Sequence, residues 1–306
     1  MDKDTKFIIK KVIFDFICLC LVAFPILLFF LFGKPYKRGF FCDDESLRHP
    51  FHPSTVTETT LYIVGLFLPV AAMTAVEGCR HHIKKQNFLV DGEQVSRPYN
   101  FFGYKIQPWI WEAYKAIGVF GFGAACSQLT TDIGKYTVGR LRPHFFAVCQ
   151  PNINCSSLAD PHTYIEDFEC LGTNPKLLKE VRLSFPSGHS SFSAYTMVYL
   201  AIYLQARMTS RNSKLFRHIL QYGCLAMAFS CAMSRISDYK HHWSDVLSGS
   251  FLGITVAILN ALCVSDLFER PLRSSKSLLA ASPLVANGVD MDLQENATNR
   301  SPLHAV

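Results

Sequence analysis

The chain has 306 residues, of which 49% are hydrophobic and 18% charged, with a net charge of +6. Length alone would predict about two soluble domains, but the apolar residues are gathered into long runs that exclude that organisation. The basic residues sit beside those runs and form no continuous block, which excludes a nucleic-acid partner.

In chain order the runs cover residues 12–32, 61–76, 116–133, 190–205, 218–233 and 246–264. A helix needs about 20 apolar residues, and no fewer than about 17, to cross about 30 Å of hydrocarbon. The first run, apolar apart from Asp15, and the last run meet this requirement. The middle runs are shorter or carry Ser, Thr, Gln and His, so flanking residues must complete each span. The prediction is an all-α polytopic membrane protein with six transmembrane helices. Residues 1–269 form the membrane domain. Residues 270–306, polar and rich in Ser, Asn, Asp and Pro, form a disordered tail. The basic flank over residues 1–11 precedes a run long enough to stay in the membrane, so the first span is the expected insertion signal, with no cleavage.

Six spans put both termini on one side and the loops after spans one, three and five on the other. Of the 30 Lys and Arg residues, 18 fall on the terminal side and 12 on the loop side. Positive segments stay cytosolic, so the termini are expected in the cytosol and the three loops outside or in a lumen. Cys42, Cys149, Cys155 and Cys170 fall in those outward loops, where disulfides form. Four cysteines allow about three full pairings, and spacing does not choose among them. Asn154-Cys155-Ser156 is a glycosylation sequon in the longest outward loop. The sequons at Asn296 and Asn299 fall in the cytosolic tail and should stay unmodified.

Three segments on the outward face carry chemistry. The first runs from Lys135 through Arg142 to Pro143. Lys135 and Arg142 are two helical turns apart and point the same way on a helix, and Pro143 ends that helix. The second is Pro186-Ser187-Gly188-His189, just before the fourth run. Ser187 suits a helix N-cap, Gly188 permits close backbone approach, and free N–H groups at a helix start bind phosphate. The third holds Arg235, His241 and Asp245. His241 and Asp245 share a helix face. A carboxylate on one imidazole nitrogen leaves the other as a nucleophile. His242 lacks such a partner in this reading. The set supplies cations for phosphate oxygens, a nucleophile, a proton donor and an orienting carboxylate, as phosphoryl transfer through histidine requires. The pairs His81-His82 and His241-His242 lack the spacing and third ligand of a zinc site, and three fixed cations can form the electrostatic clamp instead. No metal or other cofactor is expected.

These segments match the three-part signature of the type 2 phosphatidate phosphatase superfamily, which vanadium haloperoxidases share. The stretches 34–46 and 140–149 resemble outward loops of animal lipid phosphate phosphatases of the wunen and phospholipid-phosphatase group. The resemblance covers residues 10–269. It implies a helical-bundle core related to haloperoxidases, in the plasma membrane with an extracellular site, and a phosphatase for phosphatidate, lysophosphatidate, sphingosine phosphate and ceramide phosphate. By motif position, His241 attacks phosphorus, Asp245 orients it, and His189 protonates the leaving alkoxide and then activates water. Lys135, Arg142, Ser187, Gly188 and Arg235 hold the phosphate. The resemblance also implies metal independence and homo-oligomers. Two alternatives stay open: a head-group transferase like the sphingomyelin synthases, and a non-catalytic relative that binds lipid phosphates. Both signature histidines, His189 and His241, argue against the second.

Overall fold

The structure is a computed structural model that describes residues 2–91, 98–157, 160, 162–208 and 214–268. Met1–Leu267 form one compact unit. The expected tail and its two sequons lie outside the described residues.

Each apolar run lies within a helix: α1 (Lys3–Phe32), α2 (Glu58–Asp91), α3 (Pro108–Val138), α6 (Gly188–Arg207), α7 (Lys214–Ser237) and α8 (Trp243–Leu259, continued by a π turn over Asn260–Val264).

 Two shorter helices, α4 (Phe145–Cys149) and α5 (Pro175–Glu180), lie in the segment between α3 and α6. Among the described residues the expected all-α class is modified by two small antiparallel pairings and an isolated bridge between Pro151 and Cys170. In one, β1 (Phe40–Phe41) pairs with β4 (Tyr164–Ile165); in the other, β2 (Tyr99–Phe101) pairs with β3 (Tyr104–Ile106).

Among the described residues, four helical stretches are long and apolar enough to cross a membrane: Lys3–Phe32, Glu58–Asn87, Leu215–Ser237 and Trp243–Val264. Helices α3 and α6 have the length but carry more polar residues, and these turn inward. Ser190, Ser191, Ser193 and Thr196 of α6 are buried, and so are Ser127 and Thr131 of α3. The Thr131 and Ser191 hydroxyls meet at 2.7 Å. Among the described residues, most hydroxyls facing the bundle interior find partners there that hydrocarbon cannot offer, Ser127 Oγ being an exception.

Helix α6 is the central element, packed against α2, α3, α7 and α8. Tyr195, Tyr199 and Tyr203 recur every four residues along it and are fully buried. The Tyr195 hydroxyl donates to the Phe120 carbonyl at 2.7 Å, and that of Tyr203 to Glu77 at 2.8 Å. Helix α8 reaches α6 through Gly249 and Gly253, where a Cβ would strike the Ser187 and Ser191 carbonyls. Small residues one turn apart let two helix backbones touch. The opposite situation holds on α1, whose Phe14, Phe16, Leu21, Phe30 and Phe32 are exposed, as suits contact with lipid. Its Asp15 accepts from the Tyr114 hydroxyl at 3.2 Å and lies 3.8 Å from Lys11, so the acid inside the first run has partners.

A second apolar cluster lies in the segments after α1 and α3 and gathers Phe40, Leu47, Leu141, Phe145 and Val181. Its disulfides are Cys42–Cys155 and Cys149–Cys170, so folding selects one of the pairings the sequence left open. The first links the loop after α1 to the segment between α3 and α6 across 113 residues. Loops separated in sequence are thereby held over one end of the bundle.

Candidate active site

The three segments converge at that end. Helix α3 stops at Gly139, a left-handed C-cap with φ 59°. This corrects the expectation that Pro143 ends it. Lys135 therefore stands in the last turn, whereas Arg142 lies beyond the helix. A tertiary turn, not helical spacing, brings them together: the Arg142 N–H donates to the Val181 carbonyl at 2.8 Å. Ser187 caps α6 as expected, with its side chain accepting from the Ser190 N–H. Its own N–H donates to the Asp245 carbonyl at 3.0 Å, which ties the second segment to the third. A Cβ at Gly188 would come within 2.9 Å of Lys135 Nζ, so the glycine leaves room for that ammonium.

Arg235 stands in the last turn of α7, and His241 lies in the turn between α7 and α8. The ring of His241 is 3% exposed, and its Nδ1 lies 2.7 Å from the Ser184 carbonyl. A carbonyl only accepts, so Nδ1 carries the proton and a neutral ring keeps a lone pair on Nε2. Burial, and then the charges of Arg142, Lys135 and Arg235, hold the His241 pKa well below its usual value. The ring is thus neutral at physiological pH.

Asp245 is fully buried, and its carboxylate is shared differently from the expected pair. Oδ1 accepts from Arg140 Nη1 at 2.6 Å. Oδ2 accepts from Ser184 Oγ at 2.6 Å, from the His242 N–H at 3.1 Å and from His242 Nδ1 at 3.2 Å. His241 Nδ1 is 3.9 Å from Oδ2, beyond hydrogen-bond reach. The reason is local: Asp245 is the third residue of α8 and closes a capping box with His242 at the N-cap, while His241 precedes the helix. The carboxylate acts on His241 through its field and through Ser184. His242, expected to lack a carboxylate partner, has one in Asp245.

His189 begins α6, before the apolar run, and its Nε2 donates to the Val56 carbonyl at 3.1 Å. Burial, followed by the charges of Arg235, Lys135 and Arg142, pushes its pKa down to about 3. Arg235 Nη1 reaches the same carbonyl at 3.3 Å. Among the described residues, the buried Nε atoms of Arg142 and Arg235 have no hydrogen-bond partner. A buried guanidinium N–H without an acceptor is costly, so two donors stand ready for an anion. No group of three or more His, Cys, Asp or Glu side chains among the described residues could hold a metal ion.

Arg140, Ser184, His242 and the segment around Val56 were not legible as site residues. Arg140 lay inside the first segment and could have been weighed as a partner for Asp245. Nothing in the spacing signalled Ser184 or Val56. Asn154 is exposed in the segment between α4 and α5, and its side chain accepts from the Ser156 N–H at 3.1 Å.

Residues 116–269 match the PAP2 superfamily. The chain belongs to that superfamily. A Drosophila melanogaster protein named "Putative phosphatidate phosphatase" is 53% identical over 279 residues, covering 89% of this chain and 72% of that one. Rat phospholipid phosphatase 1 is 43% identical, covering 84% of this chain and 86% of its own length. Human phospholipid phosphatase 2 is 40% identical, covering 84% of each. No solved structure matches the chain. Apolar helices of spanning length and these relatives together make the chain an integral membrane member of the superfamily.

Proposed function

We propose that this chain dephosphorylates lipid phosphate monoesters at the exoplasmic face through a phosphohistidine. The coarser statement, a hydrolase acting on lipid phosphates, follows from the superfamily and from relatives named as phosphatases. The finer reading is carried by one observation: a neutral His241, its Nδ1 proton committed to Ser184, lies in the field of three cations, two of which have unpartnered N–H groups.

In this reading Lys135, Arg142 and Arg235, with the Ser187 hydroxyl and the Gly188 amide, hold the phosphate oxygens. The Nε2 lone pair of His241 attacks phosphorus, forming the N–P bond while the P–O bond to the lipid breaks. His189 gives its proton to the departing alkoxide. Water then attacks the phosphohistidine, His189 takes the water proton, and the N–P bond breaks to release phosphate. Burial and then the nearby cations hold His189 neutral; a bound phosphate dianion offsets the cations, and the His189 pKa rises toward the range a proton donor needs.

The reading includes six spans, cytosolic termini, a core shared with vanadium haloperoxidases, a plasma-membrane location and self-association. Its substrates are phosphatidate, lysophosphatidate, sphingosine phosphate and ceramide phosphate, because the site recognises the phosphate and leaves the acyl part in the bilayer. Chemistry without a metal is included, since the protein's own cations can balance the charge.

The test is phosphate release by purified protein in excess chelator, from a panel of lipid monoesters and one phosphodiester. All monoesters should turn over and the diester only weakly, because its second substituent occupies an oxygen the cations must reach. Loss of activity in chelator, restored by magnesium, would overturn the metal-free part. Efficient head-group transfer would favour the transferase alternative. Orientation has its own check: Asn154→Gln should increase gel mobility to match the glycosidase-treated protein. A glycan on Asn296 or Asn299 instead would invert the topology.

A further inference from the structure

The segment between the outward loop and α2 crosses the site, and its backbone occupies donors that the proposed reaction needs. His189 Nε2 and Arg235 Nη1 both reach the Val56 carbonyl, at 3.1 and 3.3 Å, and Arg235 Nη2 reaches Ser54 Oγ at 3.4 Å. This strap is fastened from the far side of Arg235. Asp238, 7% exposed, accepts from the Thr55 N–H at 2.7 Å and from its hydroxyl at 2.8 Å. The next residue, Tyr239, stacks on His49 with ring centroids 4.4 Å apart and meets His52 edge-on at 5.6 Å. Phe51 lies against His144, and Lys240 Nζ is 3.7 Å from the centre of its ring. Besides the bonds to Arg235 and His189, residues 49–56 are held to the turn after α7 by contacts of Asp238, Tyr239 and Lys240, of which Asp238 also lies 3.6 Å from Arg235.

We propose that Asp238 and Thr55 are positioning residues that latch this strap across the site, and that a phosphate ester binds by displacing the Val56 carbonyl from Arg235 and His189. The exchange is favourable because a phosphate oxygen carries charge and a carbonyl does not, and charge-assisted hydrogen bonds are roughly twice as strong as neutral ones. Affinity for the phosphate group is then the difference between two sets of bonds. The latch sets the weaker set, so loosening it should strengthen phosphate binding. A residue that merely supported the fold would weaken binding when removed.

The inference rests on the proposed assignment of Arg235 and His189 to the phosphate site. Its test uses the full-length protein in detergent, with inorganic orthovanadate as a phosphate-shaped inhibitor of lipid phosphate turnover. Thr55→Val removes the hydroxyl bond and keeps the Asp238 charge; Asp238→Asn weakens the latch and also removes a negative charge 3.6 Å from Arg235. Both variants should lower the vanadate Ki, Thr55→Val by about threefold to tenfold, the worth of one hydrogen bond. A lower Ki in Asp238→Asn alone would mean that charge acts and the latch does not, which overturns the proposal. An unchanged or raised Ki in Thr55→Val, at an unchanged melting temperature, overturns it as well. If Thr55→Val proves unstable, Thr55→Ser, which restores the hydroxyl, must return both melting temperature and Ki to the wild-type values for the latch to stand. Wild-type protein that turns over no lipid phosphate would instead overturn the functional assignment itself.

Discussion

His241→Ala should abolish turnover while leaving the protein folded. The ring is held at Nδ1 by the Ser184 carbonyl and, more loosely, by the Ser184 hydroxyl, and packs where three cations already crowd it, so the fold does not depend on its charge. Loss of a general acid typically lowers a rate by about 10²–10⁴-fold, and loss of the nucleophile should be at least as severe. His189→Ala should fall within that range for lipid substrates. The two variants separate when the leaving group is good, as in an aryl phosphate, which needs little protonation to depart. With that substrate His189→Ala should accumulate a labelled phosphoenzyme because water is no longer activated, whereas His241→Ala should form none. Rapid quench and measurement of protein-bound phosphate reads this directly. Near-normal turnover by folded His241→Ala would rule out the phosphohistidine.

Asp245→Asn is the second large effect, and the structure gives it a wider reach than the motif does. The carboxylate accepts from Arg140, Ser184 and twice from His242, and it has no exposure to water. An amide offers one accepting oxygen. Its NH₂ must therefore face either Arg140 or the Ser184 and His242 donors. Breaking a buried pair costs about 3–5 kcal/mol; Arg140 retains 32% exposure and can turn to water, so a loss near the low end is expected. Ser184 also carries the carbonyl that holds His241 Nδ1, so kcat should drop by at least about 10²-fold as that ring loses its register. Vanadate binding should persist, since the cations proposed to hold phosphate are elsewhere. Arg140→Ala should reproduce most of the loss in melting temperature with a smaller loss in kcat. An Asp245→Asn protein with wild-type stability and turnover would remove Asp245 from both roles.

The superfamily signature was legible because its residues are chemically improbable beside membrane spans. A lysine, two arginines, two histidines and an aspartate at the ends of apolar runs need a reason to be there. The all-α class was legible because long apolar runs leave the backbone few other ways to satisfy its hydrogen bonds. Span assignment was weaker for α3 and α6, whose serines and threonines dilute the apolar signal in sequence yet turn into the bundle, where Thr131 and Ser191 meet.

What the sequence by itself determined, then, was local: which segments become helices, which end of the bundle carries the charged chemistry, and which residue types stand ready there. What only the tertiary structure decided was who touches whom. Helical spacing predicted that Lys135 and Arg142 share a helix and that Asp245 faces His241. In the fold a glycine ends α3 early, and the capping of α8 draws Asp245 to His242, Arg140 and Ser184. The disulfide pairing and the strap over His189 and Arg235 join positions 113 and 179 residues apart. Contacts at that separation depend on how the helices pack and the loops close, and no local periodicity encodes them.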